Sequence, residues 1–274
     1  MLGSLDDFAT NFEQFIHTVT LEEFVATLRK LIPWDIRRLG KILLANKNKI
    51  VELYRRRLKA TKLHVIGEFL YTICNICEDL CKELSQIWSE SQQVLLELID
   101  KSSLSELGAF IPGAILANVE DTIIRKCMDR SREIIKDSNL PEICDFFAHL
   151  GMIDASILAD IIRPIWREIE SLFLEYLVRG PSLDLLITMI GYLSKIDRTS
   201  TRTLLAKNRE KIQNRFTQDL NNMSLDQVTS FLLILAQVDK EFAQSLINNT
   251  IESLKEKYKD EISTLLMFID RIQT

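Results

Sequence analysis

The sequence predicts an all-α protein: a right-handed α-solenoid of about six helix-turn-helix repeats with an extra helix at each end. Three observations lead there: a scarcity of turn formers, an apolar pattern that recurs along the whole chain, and helix-start signals at matched offsets within it. Only 8 Gly and 5 Pro punctuate 274 residues, whereas all-β and α/β folds need more of them at turns and crossings. With 47% hydrophobic residues the chain can bury a large core, and residues 1–274 read as a single repeat domain.

Taking Leu21 as position zero, apolar residues at zero, +3, +7 and +10 give one face of an amphipathic helix, A: Leu21, Phe24, Leu28 and Leu31. The set returns at Leu63, Ile66, Leu70, Ile73; at Leu104, Leu107, Ile111, Ala114; and at Leu140, Ile143, Phe147, Leu150. Two more copies are Leu183, Leu186, Ile190, Leu193 and Leu225, Val228, Leu232, Leu235, so successive starts lie 42, 41, 36, 43 and 42 residues apart. Thr20, Ser103, Asn139 and Ser224 each precede a copy and have Glu23, Glu106, Glu142 or Gln227 three residues on, the spacing of a capping box. Ser182 supplies a cap without the acidic partner.

At +14 stand Asp35, Asn118, Asp154, Asp197 and Asp239, with Cys77 the exception, which predicts a turn and a second N-cap. A longer helix B follows, with Leu39, Ile42, Leu43 and Ile50 inward in the first repeat and Ile157, Leu158, Ile161, Ile162 and Ile169 inward in the fourth. Residues 43–50 and 204–212 share wording, Leu-Leu-Ala followed by Asn, Lys and Ile. Between Arg57 and Ile66 nothing in the sequence stops a helix, so B of the first repeat is expected to run into A of the second. Terminal helices are expected over 4–19, led by Leu5, Phe8, Phe12 and Phe15, and over 261–273. The last is apolar nearly all round, with Leu266, Met267 and Phe268, which points to another chain or further repeats against it.

The unit resembles the tetratricopeptide, HEAT and armadillo class, and its length is closer to HEAT; the Trp/Gly/Tyr/Pro signature of tetratricopeptide repeats is missing. The wording Ser-Leu-x-x-φ-x-x-φ-φ ending in Ile/Val-Asp is similar to the helical arrays at the C-terminal ends of prokaryotic STAND-type NTPases. That resemblance implies a module that senses a ligand or partner, with any NTPase lying elsewhere, since this sequence has no P-loop.

The opening residues lack a basic region followed by an apolar core, and no stretch approaches the ~18 uncharged apolar residues of a membrane span. Five cysteines without framework spacing suggest a reducing compartment, so a cytoplasmic protein with no membrane contact is expected. Cys74, Cys77 and Cys81 would share a face of one continuous helix and resemble metal ligands, but they fall on core positions, where cysteine acts as a small hydrophobe. His17, His64 and His149 are scattered, and no hydrolase or dinucleotide motif occurs. The expectation is a non-catalytic protein with no cofactor and no metal.

Charge is segregated. Residues 29–62 carry twelve Lys or Arg against Asp35 and Glu52, a net of +10, while 65–100 carry a net of −6 and 195–215 a net of +5. Arg37, Lys41, Arg55 and Lys59 fall on one polar stripe of helix B, opposite Leu43, Ile50 and Tyr54, and are the candidate partner-binding residues. Basic and acidic helices pairing across the stack would account for most of this segregation. The expected role is a scaffold or sensor that binds a protein partner, and the alternative is a salt-dependent, non-sequence-specific nucleic-acid binder.

Overall fold

A computed structural model describes residues 4–85, 87–180 and 183–273, and every element among them is helical. The chain divides into two compact units, Met1–Ser138 and Asn139–Thr274. The N-terminal unit contains α1 (Leu5–Thr18), α2 (Leu21–Leu31), α3 (Ile36–Ala45), α4 (Lys47–Arg57), α5 (Leu63–Ile76), α6 (Glu78–Ser85), α7 (Trp88–Lys101), α8 (Leu104–Leu116) and α9 (Asp121–Ile134). The C-terminal unit contains α10 (Leu140–Leu150), α11 (Ala155–Ile162), α12 (Trp166–Arg179), α13 (Leu183–Ile196), α14 (Arg198–Lys207), α15 (Arg209–Asp219), α16 (Leu225–Val238), α17 (Lys240–Lys257) and α18 (Ile262–Gln273). No helix among the described residues is long and apolar enough to cross a membrane.

The A helices are α2, α5, α8, α10, α13 and α16, and every residue of their six four-residue sets is buried. Within the N-terminal unit α2 packs on α5 and α5 on α8; within the C-terminal unit α10 packs on α13 and α13 on α16. Thr20, Ser103, Asn139 and Ser224 all form reciprocal capping boxes with Glu23, Glu106, Glu142 and Gln227. Ser182 lies outside the described residues. At the ends, α1 buries Leu5, Phe8, Phe12 and Ile16, and α18 buries Leu265, Ile269 and Ile272 while Leu266 and Met267 stay exposed.

The B helices differ from expectation. Rather than one long helix, the first repeat has α3 and α4 broken at Asn46, and the fifth has α14 and α15 broken at Asn208. Both asparagines take the same backbone conformation (φ −111°, ψ 20° and φ −121°, ψ 15°). Each turns its own N–H to the carbonyl of Leu43 or Leu205, three residues back. The carbonyl four back then lacks its helical donor, and the side-chain amide supplies one: Asn46 Nδ2 donates to Ile42 O (2.9 Å) and Asn208 Nδ2 to Leu204 O (2.8 Å). The wording shared by 43–50 and 204–212 therefore encodes a matched kink. In the fourth repeat Pro164, in the 3-10 turn Arg163–Ile165, separates α11 from α12. Ile157, expected inward, is 45% exposed at the start of α11.

Two further expectations are corrected. The chain does not run as one helix from Arg57 to Ile66: after a 3-10 turn at Leu58–Ala60, Thr61 and Lys62 are extended before α5 begins. Arg57 fixes that end by donating to the carbonyls of Thr18 and Val19 (both 3.2 Å), while Thr61 Oγ1 donates to Arg57 O. Asp35, Asp197 and Asp239 cap their B helices as expected, but Asn118 does not. It takes a left-handed φ of 52°, which asparagine tolerates better than most residues, and Glu120 precedes α9 instead.

In the N-terminal unit α5 and α8 approach to backbone contact. A Cβ placed on Gly67 would overlap the Phe110 backbone, and one on Gly113 would overlap the Gly67 carbonyl. Gly113→Ala is therefore expected to lower the urea midpoint, through a loss of about 1–3 kcal/mol of stability to overpacking. Gly191→Ala, whose Cβ would meet only Ile234 side-chain atoms at 3.7 Å, should leave the midpoint unchanged or raise it. Equal effects of the two would remove the close approach as the cause.

Candidate functional site

Of the cations in 29–62, most are spent inside the N-terminal unit. Arg29 pairs with Glu68 (3.1 Å), Lys47 with Glu83 (2.5 Å), and Arg55 with both carboxylate oxygens of Glu90 (3.0 and 3.1 Å). Those acids belong to the 65–100 zone. Arg38 pairs with Asp6 and Lys49 with Glu13 (3.1 Å), both on α1. Arg56 donates to Ile16 O (2.9 Å), beside the Arg57 bonds to the same end of α1. The 195–215 zone behaves alike: Arg198 donates to Gln237 O (2.6 Å), Lys207 lies 3.8 Å from Glu170, Arg209 pairs with Asp239 and Arg215 with Asp219.

The four candidate residues do not share one helix. Arg37 and Lys41 lie four apart on one face of α3; Arg55 lies beyond the Asn46 kink on α4, and Lys59 in the following 3-10 turn. Arg55 is neutralised by Glu90, whereas Arg37, Lys41 and Lys59 are exposed and make no hydrogen bond or ion pair among the described residues. Close in sequence to Arg37 and Lys41 are three exposed apolar side chains that periodicity passes over: Trp34 (63% exposed), Ile36 and Leu44. The available signal was Pro33-Trp34, a turn former and a large ring just outside the A-helix pattern.

Each unit also holds a cleft. In the C-terminal unit α11, α12 and α14 bound about 330 Å³ lined by Arg163, Trp166, Arg167, Glu170 and Asp197. Both charge signs line it, and Arg163 already pairs with Asp160 (2.8 Å). In the N-terminal unit about 320 Å³ is lined by Thr20, Arg57, Lys62 and His64, with His64 Nδ1 3.3 Å from Glu106.

The cysteines do not form a three-thiol face, because the helix ends at Cys77: Cys74 and Cys81 are joined by a disulfide, leaving Cys77 half-buried between them. Burial pushes the Cys144 thiol up to about 11 and the Cys127 thiol higher still, so both stay protonated and poorly nucleophilic. Among the described residues no group of three His, Cys, Asp or Glu is placed to hold a metal ion. No protein-family model, curated protein or solved structure matches this chain.

One buried carboxylate gives a pH test of the architecture. Burial works against the charge of Asp239, yet the Arg209 guanidinium (2.8 Å) and the Phe242 N–H (3.1 Å) outweigh it and hold its carboxyl below the usual range. A depressed folded value means that this stabilisation is complete above the ordinary 3.8 and is lost as pH falls through the lower folded value. Asp239→Ala should cost about 1 kcal/mol from the lost cap alone at neutral pH. The gap to wild type in urea melts should narrow on acidification below 3.8; a gap constant with pH would show that the carboxylate charge contributes nothing.

Proposed function

We propose that this chain is a non-catalytic helical-repeat scaffold or sensor module of the cytoplasm, each unit a stretch of HEAT-like α-solenoid, that binds a protein partner at the edge of α3. The packing of A helix on A helix and, in the second layer, α7 on α9 and α15 on α17 supports the solenoid reading. One observation carries the docking site: Trp34 and Ile36 are exposed within a few residues of Arg37 and Lys41, which make no ion pair among the described residues in a zone whose other cations are largely engaged. The partner that fits is a segment with acidic residues flanking an apolar anchor. Trp and Arg are the residue types most enriched at interface hot spots.

Lys30, Arg37, Lys41, Lys59 and Lys62, which make no ion pair among the described residues, also support a second reading, a nucleic-acid surface, though with far less charge than the sequence total suggests. Affinity capture with the full chain, with and without nuclease, separates the two. A stoichiometric protein should be retained after nuclease treatment and lost by both Trp34→Ala and Arg37→Glu/Lys41→Glu, whose helicity and Tm match wild type. Undiminished capture by both variants would overturn the α3 site. Material lost on nuclease treatment, bound with an affinity that falls steeply with salt, would establish the second reading.

A further inference from the structure

At three A-to-B turns an aspartate holds one extended conformation and caps the B helix. These are Asp35 (φ −164°, ψ 95°), Asp197 (φ −145°, ψ 93°) and Asp239 (φ −143°, ψ 89°), which accept from the N–H groups of Arg38, Ser200 and Phe242. Cys77, between α5 and α6, has the same backbone (φ −148°, ψ 95°). A thiol is a weak acceptor where a carboxylate is a strong one. This turn is crossed instead by a covalent bond from Cys74, in the last turn of α5, to Cys81, in the first turn of α6, with Cα atoms 4.9 Å apart. Residues seven apart on an unbroken helix are separated by roughly 10 Å along the axis, so the bond depends on the break at Cys77.

We propose that the Cys74–Cys81 disulfide is a redox-operated staple that stands in for the missing aspartate cap, so that the order of α6 follows the thiol–disulfide balance around the protein. The oxidant is a low-molecular-weight disulfide such as glutathione disulfide. The thiolate of Cys74, half-buried where Cys81 is buried, attacks one of its sulfurs; that S–S bond breaks and one small thiolate leaves. The Cys81 thiolate then attacks the Cys74 sulfur, forming the protein bond and releasing the second small thiolate. The two electrons and two protons given up by the cysteines leave with the two small thiols, and a dithiol reverses the sequence. Such bonds in reducing compartments are typically transient and sensory. Cys81 Sγ lies 3.5 Å from the Leu116 carbonyl at the end of α8, so loosening α6 reaches the third repeat.

The test uses the full chain equilibrated with glutathione disulfide or with dithiothreitol, the bond being mapped by mass spectrometry of unreduced peptides. Reduction should lower Tm by about 5 °C through loss of the cross-link and speed amide exchange across residues 78–85. Cys77→Asp, which restores the cap and leaves the bond, should halve the shift or better. The proposal is overturned if glutathione disulfide forms no Cys74–Cys81 bond, or if melting and exchange are the same with the bond present and absent. A full-sized shift in Cys77→Asp would also overturn it. Should that variant not fold, Cys77→Asn replaces it, and the wild-type exchange comparison decides on its own.

Discussion

A protein built from short helices has many helix ends, and each end leaves up to four backbone groups without a helical partner. Satisfying those groups inside packed layers is the constraint on which the rest of this structure depends. Many helix starts are handled locally, by Ser4, the four capping boxes and the three aspartates. Several helix stops are also handled at long range. Arg56 and Arg57 serve the carbonyls where α1 ends, Arg215 serves Gly180 O (2.7 Å) after α12, and Lys257 serves Leu220 and Met223 O after α15. Each is a cation on a B helix reaching the exit of an earlier helix within its own unit. Charged donors make these bonds worth about 1.5–3 kcal/mol each, more than a neutral bond. Burial accordingly holds the Lys257 ammonium below its usual value.

This division between local and distant solutions explains what the sequence could reveal. Capping boxes and the zero, +3, +7, +10 sets are patterns within a dozen residues, and all of the sets are buried as the pattern requires. The break at Asn46 is also local, but an asparagine that returns its amide to the fourth residue back looks the same in sequence as a solvated one on a straight helix. Only its recurrence at Asn208 marks it, and a recurrence signals repeat similarity as readily as a bend. The acceptors of Arg56 and Arg57 lie about forty residues away, so their cationic run looked like a surface feature. The candidate stripe suffered for the same reason: Arg55 is bound to Glu90, 35 residues distant.

The N-terminal unit adds a steric constraint to the polar one. Aromatic rings link its layers, with Phe12 against Phe24 (6.4 Å between centroids), Phe24 against Phe69 (6.0 Å) and Phe69 stacked on Tyr54 (5.7 Å). These rings hold α1, α2, α4 and α5 at ordinary separations. Between α5 and α8 bulk gives way to backbone contact, because Gly67 and Gly113 face each other where any side chain would collide. Glycine inside a helix costs roughly 0.5–1 kcal/mol relative to alanine, so its presence here is explained by the approach that it permits.

Internal satisfaction also sharpens the argument for a docking surface. A net charge of +10 over 29–62 suggests a broad electrostatic footprint, yet ion pairs and carbonyl caps remove much of it before any partner arrives. What survives among the described residues is small and mixed: five cations without an ion pair or side-chain hydrogen bond, of which Arg37 and Lys41 lie on α3 within a few residues of an exposed indole and an exposed isoleucine. A phosphate backbone would reward charge density and be indifferent to Trp34 and Ile36 in the absence of stacked bases. A protein segment rewards both, since burying apolar surface contributes about 25 cal/mol per Å² and the flanking cations select the sign of its neighbours. The chemistry left over after the fold has met its own needs therefore favours a protein partner over a polyanion.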